Sequence, residues 1–238
     1  MKIFFYVFLF GFLFSLPTYA GQITAVYNAY AAGMPIMSGV MEIKQEKESV
    51  FIQTKTKTRG MLSFLLDART ILTSQFLIQK NQLPQIQKST MESVTKRKIK
   101  TRQVDFSDKP LALDYQTAVF DLMQQEIPTD KEYIVLDGKR KLKFNFIYQG
   151  IKEINSSKNL IYSGPADYYT LTIEVLEGKK KGCFFKRVKN AHNPPLHLYF
   201  ARINNEPQKR LVRAEFDTTL LGTIVINLSD LSDFGKEI

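Results

Sequence analysis

The chain of 238 residues has no tryptophan, one cysteine and two histidines. Each shortage removes a class of chemistry. A single thiol, Cys183, cannot close an intramolecular disulfide. It lies between Gly182 and Phe184-Phe185, an apolar setting that keeps a thiol protonated and inert. Cys183 therefore reads as a buried structural side chain, with a bridge to a second molecule or a redox role as the alternative. Nucleophilic catalysis needs a base held beside the nucleophile, yet His192 and His197 are the only imidazoles and no Gly-x-Ser-x-Gly elbow occurs. Two prolines inside His192-Asn193-Pro194-Pro195-Leu196-His197 rule out a helical ligand pair, and no acidic cluster adjoins it. Gly178-Lys179-Lys180-Lys181-Gly182 lacks the glycine spacing and the Ser or Thr of a phosphate loop. Asp105/Asp108 and Asp230/Asp233 read as turn and tail acids rather than as a glycosidase pair. No catalytic residue, metal ligand or cofactor is expected.

Long apolar runs are also missing after residue 20. The one such run is at the start. Met1-Lys2 precedes an apolar stretch from Ile3 to Leu16, then Pro17 and Thr18-Tyr19-Ala20. A basic start, a short apolar core and a small residue at its end form a secretory signal with cleavage after Ala20. The core falls short of the roughly 20 residues of a membrane helix. No cysteine follows Ala20, so lipid attachment there is not expected. The expected organisation is a signal over 1–20, one β-rich domain over 21–231 and a frayed tail over 232–238. The expected location is the periplasm of a Gram-negative bacterium, or beyond it.

Acidic residues are outnumbered, 23 against 33 Lys and Arg, for a formal charge of +10. A positive field favours acidic partners. In an envelope these are anionic phospholipid, lipopolysaccharide phosphate or acidic polymer, and nucleic acid is not expected.

Period-2 alternation fills the rest. Leu142, Phe144, Phe146 and Tyr148 share one face, as do the odd positions of Tyr169–Val175, and Val212, Ala214 and Phe216 alternate with charged residues. Ile224, Ile226 and Leu228 repeat the pattern. Further strands are expected at 24–32, 38–45, 49–58, 71–80, 84–93, 96–106 and 196–203. One packed and one wet face is the antiparallel signature. Short connections favour a meander curled into a barrel, spiral or sandwich, because an open sheet exposes its edges. Two segments depart from this pattern. Residues 60–66 read as a short helical turn or buried plug. Asp114 to Glu126 reads as an amphipathic helix, capped by Asp114, with Tyr115, Ala118, Val119, Leu122 and Met123 on one face, ended by Pro128. It either plugs the concave side of the sheet or lies across its seam.

This order of features resembles the bacterial exported proteins grouped as "domain of unknown function 3108", over most of Ile23 to Leu228. The resemblance rests on Ala31-Ala32-Gly33, Thr58-Arg59-Gly60-Met61-Leu62, Leu113-Asp114-Tyr115-Gln116-Thr117-Ala118-Val119-Phe120, and the close Arg210–Phe216 with Leu221-Gly222-Thr223-Ile224. Relatives often carry Leu-Pro where this chain has Leu211-Val212, and a tryptophan where Tyr199 or Phe200 stands. The resemblance implies a curled-sheet envelope protein and assigns no activity.

Basic runs are the main surface signal. Lys96-Arg97-Lys98 with Lys100 and Arg102, Lys139-Arg140-Lys141 with Lys143, and Lys179-Lys180-Lys181 with Lys186-Arg187 each sit at an expected hairpin. They form either one cationic rim or three separate solvated turns. The reading is a non-enzymatic envelope protein that binds a lipid, another amphiphile or an anionic envelope component. The alternatives are a module docking on another envelope or secreted protein through a sheet edge, and an envelope hydrolase. The periplasmic fraction of an expressing Gram-negative host should yield a chain starting at Gly21 by intact mass; a mass retaining Met1–Ala20 would mean an anchored protein instead.

Overall fold

The computed structural model describes residues 21–233, apart from 66, 80–81, 96–97, 107, 110, 158, 179–194, 205, 207 and 219–220. The expected signal over 1–20 and the residues after 233 therefore lie outside the described residues. Within them the chain is mainly β. Its strands are β1 Gly21–Ala31, β2 Met34–Glu46, β3 Ser49–Thr58, β4 Ala68–Leu77, β5 Gln85–Thr95, β6 Lys98–Val104, β7 Ala112–Leu113, β8 Lys131–Leu136, β9 Lys141–Ile154, β10 Gly164–Glu177, β11 Leu196–Arg202, β12 Lys209–Thr218 and β13 Gly222–Asp233. Two helices interrupt them, α1 Gly60–Leu65 and α2 Tyr115–Met123.

All the strands belong to one sheet, in the order β6-β5-β4-β3-β2-β1-β13-β12-β11-β10-β9-β8-β7. Pairing is antiparallel throughout except for β7 with β8. Near neighbours in sequence pair, and β1 with β13 joins the two halves. Chain length dictates the curvature. Thirteen strands about 4.8 Å apart would put the edges of a flat sheet on the order of 58 Å apart. Yet the edge strands β6 and β7 are linked by residues 105–111, which span at most about 28 Å when fully extended. The sheet must therefore curl until its edges approach. It does so without closing, since β6 and β7 are not hydrogen-bonded to each other.

The concave face encloses α2. Asp114 caps that helix, its Oδ1 accepting from the Thr117 amide at 2.8 Å. Phe120, Leu122, Ala118 and Met123 then pack into the main core with Val50 and Ile52 of β3, Phe76 of β4, Phe144 and Phe146 of β9, Leu171 of β10 and Phe200 of β11. Strands from both halves touch this helix, so α2 is a plug inside the curl and does not lie across the seam. Phe76 and Phe120 meet edge to face with centroids 5.1 Å apart. The far end of the plug is held by Lys209, whose ammonium lies 2.6 Å from Asp167 and donates to the Glu126 carbonyl at 3.3 Å. A cation there also suits the negative end of the helix dipole.

Two strands carry no alternation signal. β8 reads Lys-Glu-Tyr-Ile-Val-Leu. Tyr133 and Val135 pack in the main core, while Ile134 and Leu136 join Phe106, Ala112, Val104 and Ile86. With both faces covered, period 2 disappears. β7 is only two residues long. At the other extreme, β13 continues to Asp233 by pairing with Ile23, so Asp230, Ser232 and Asp233 are strand residues, and the rest of the expected tail lies outside the described residues.

Phe120 is 1 % exposed and Ile151 is 71 % exposed. Phe120→Ala should lower unfolding free energy by about 3–5 kcal/mol, while Ile151→Ala should stay within about 0.5 kcal/mol; urea denaturation of both variants checks the assignment of α2 to the interior.

Candidate functional site

The seam is joined by side chains rather than by backbone hydrogen bonds. Phe106 from the β6–β7 link, Ala112 of β7 and Leu136 of β8 are buried together, with Ile86, Val104 and Ile134 packed against them. Above this cluster opens a cleft of about 650 Å³, within the size range of small-molecule sites. Its floor is apolar, made by Val104, Ala112, Ile134 and Leu136, with Leu111 at the side. Leu111 is 71 % exposed. The rim carries Lys109, Lys139, Arg140 and Lys141 against Asp105 and Glu177.

Rim positions follow from the β8–β9 turn. Asp137 Oδ1 accepts from the backbone amides of Lys139 at 2.9 Å and Arg140 at 2.8 Å, closing an aspartate-initiated turn. Gly138 supplies the φ of +77° that the turn needs. A Cβ here would meet the Val104 side chain and the Gln103 carbonyl of β6, so this turn packs against β6 across the seam. Asp137 Oδ2 also accepts from Arg140 Nε at 2.7 Å and from Arg140 Nη2. Tyr115 of α2 donates to the same oxygen at 3.1 Å. Plug, turn and seam are thus tied through one carboxylate. Burial by itself would raise the Asp137 carboxyl, but the Arg140 guanidinium and the two backbone amides outweigh it and hold it below the ordinary range. Burial, and then the Asp137 charge, push the Tyr115 hydroxyl up.

These contacts sort the basic residues. Arg140 is half-buried and spent on Asp137. Lys141 pairs with Glu177 at 2.9 Å on the surface, which contributes little. Lys109 and Lys139 are exposed and make no ion pair among the described residues. They are the cations available to a ligand. Lys109 stands alone in the sequence, outside any basic run, and only the fold brings it to the rim. Gly178 lines the cleft, packed so closely on the Lys139 carbonyl that a Cβ would overlap it. Lys179–Lys181 follow it in sequence but lie outside the described residues, as do Lys96, Arg97, Cys183 and His192. Lys98 and Lys100 are exposed on β6. They sit about 13–20 Å along the strand from Val104, at 3.3 Å per residue, and so do not share the rim.

Behind the cleft lies a second polar set. Ser74 donates to Asp114 Oδ2 at 2.6 Å, and Gln116 Nε2 donates to Ser74 at 2.8 Å. They border a cavity of about 20 Å³ with Ser89, Tyr115 and Asp137, room for about one water molecule. On the outside of the sheet, His197 of β11 is bound through Nδ1 to the Tyr168 hydroxyl at 2.6 Å. That ring stacks on Tyr168, which stacks on Tyr199. Lys152 lies 5.0 Å over the Tyr168 ring. No group of three or more His, Cys, Asp or Glu able to hold a metal occurs among the described residues, and no helix among them is long and apolar enough to cross a membrane. No protein-family model matches this chain, and no curated protein matches it.

Because the Asp137 carboxyl ionises more readily in the fold than in the unfolded chain, the unfolded state binds more protons as pH falls through the carboxylate range. This contribution to stability is complete above about pH 4 and is lost as pH drops through the lowered folded value. Asp137→Asn should lower the melting temperature at pH 7, and the gap from the wild-type protein should narrow steadily below pH 4; an equal gap at pH 7 and pH 3 would remove Asp137 from this role.

Proposed function

We propose that this protein is a non-enzymatic binding protein of the bacterial envelope, exported by its N-terminal signal, that takes an anionic amphiphile at the sheet seam. The carrying observation is the composition of the cleft: an apolar floor beneath two unpaired lysines, Lys109 and Lys139, with an exposed Leu111 beside them. The apolar part of the ligand lies on Val104, Ala112, Ile134 and Leu136, and its phosphate or carboxylate meets the lysines. Phospholipid and lipopolysaccharide carry both parts. This reading places the ligand at the seam and not inside the curl, on two observations. α2 fills the interior, and the 20 Å³ cavity holds no acyl chain.

A second reading is favoured by one observation. β6 ends the sheet with its outer edge unpaired, and Lys98, Ile99 and Lys100 on it are exposed. Such an edge accepts an extended segment of another envelope protein.

Native mass spectrometry of protein purified from periplasm without detergent tests both readings. A discrete adduct is expected, lost on organic extraction and reduced at least tenfold in the Lys109→Glu/Lys139→Glu variant. A clean apo mass for the wild-type protein would reject the amphiphile reading and leave docking through β6.

A further inference from the structure

A different surface, at the end of the sheet where β6 begins, carries apolar side chains and cations in another arrangement. Phe64 of α1 is 82 % exposed and Met34 56 %. They belong to one corner. The Arg59 amide donates to the Ile36 carbonyl at 2.8 Å, and Gly60 is pressed on the Pro35 carbonyl with φ at +57°. α1 is thereby fixed on the start of β2. A phenylalanine this exposed on an anchored helix has no role in the core, and with Met34 it leaves large apolar groups facing solvent.

Cations adjoin the apolar corner. Arg59 Nε donates to Ser38 Oγ at 2.7 Å. Ser38 is the cross-strand partner of Lys57, and Lys57 is the partner of Arg69. Ser38, Lys57 and Arg69 therefore form one row across β2, β3 and β4, and the Arg59 side chain reaches this row at Ser38. Lys57, Arg59 and Arg69 are exposed and make no ion pair among the described residues. From Ser49 to Thr70 the only carboxylate is Asp67.

Protruding apolar side chains with a basic row beside them fit a fluid anionic interface. The apolar groups enter the acyl boundary while lysine and arginine meet the headgroups. A folded protein partner would be met better by a hollow or an open edge, and this corner offers neither, because the start of β2 is already occupied by the Arg59 amide and α1. We propose that this corner seats the protein on an anionic lipid bilayer, with Phe64 and Met34 inserted and Lys57, Arg59 and Arg69 on the headgroups. The inference is independent of the seam cleft and shares no residue with it.

The absence of tryptophan makes the test direct. Phe64→Trp places a single indole at the corner, and Ile151→Trp places one at an exposed site on β9 as a control. With phosphatidylglycerol/phosphatidylcholine vesicles, the Phe64→Trp emission should shift to the blue and be quenched by brominated acyl chains, and the Ile151→Trp emission should not. Replacing Lys57, Arg59 and Arg69 together by glutamine should weaken vesicle binding roughly ten- to a hundredfold. The Lys109→Glu/Lys139→Glu variant should leave the Phe64→Trp shift intact, which separates this surface from the cleft. Failure to bind these vesicles overturns the proposal. Binding without a change in Phe64→Trp emission also overturns it, since the protein would then be adsorbing through another basic face.

Discussion

Seven residues between β6 and β7 set the architecture. A link that short cannot span a flat sheet of thirteen strands, so once the meander has formed, its two edges are drawn together. The consequences follow in order. Curling produces a concave face, and a concave face lined by Ile52, Phe76, Phe146, Leu171 and Phe200 needs an apolar filling. The same link supplies it, because the chain that crosses the seam turns inward at Asp114 and becomes α2. The segment that forces the curvature also delivers the plug that stabilises it.

The seam is where this solution is incomplete. Edges that meet through Phe106, Ala112, Leu136 and Val104 have no ladder of hydrogen bonds to exclude solvent, and a cleft stays open above them. Asp137 compensates. Its carboxylate joins the β8–β9 turn, Arg140 and Tyr115 of the plug. A nearly buried carboxylate is tolerated only when so many donors converge on it. Arg140 is thereby a structural cation, although its sequence neighbour Lys139 stands exposed at the cleft rim. The cleft is a by-product of sheet geometry, with an apolar floor and a charged rim.

Charge is distributed to match. The interior cations Lys209 and Arg210 are neutralised by Asp167 and Glu206. Lys109 and Lys139 at the cleft, and Lys57, Arg59 and Arg69 at the α1 corner, are left to solvent. A net positive chain needs no unpaired cation at any particular place for solubility. Their placement beside exposed apolar groups, Leu111 in one case and Phe64 and Met34 in the other, gives both surfaces the same amphipathic character, through different strands and different side chains.

Much of the fold was legible in the residues themselves. Alternation at 142–148, 169–175 and 212–216 located half-buried strands, and Asp114 with Pro128 bracketed the helix, because cap chemistry and side-chain periodicity are local. The helical turn expected at 60–66, found at Gly60–Leu65, and the antiparallel curled sheet with one amphipathic helix followed from the same signals. β8 escaped because burial on both faces erases its period, and β13 ran further because β1 offered it a partner. The site was harder to read. The runs at 139–141 and 98–100 looked alike, and only strand order shows that one borders the cleft while the other lies a strand's length away. Lys109, Leu111 and the role of Asp137 had no signal, since each acquires its meaning from a residue distant in sequence. Local interactions are written residue by residue and can be read that way. The approach of two sheet edges is a property of the whole curled chain, so only the tertiary structure decided where the cleft would open and which cations would face it.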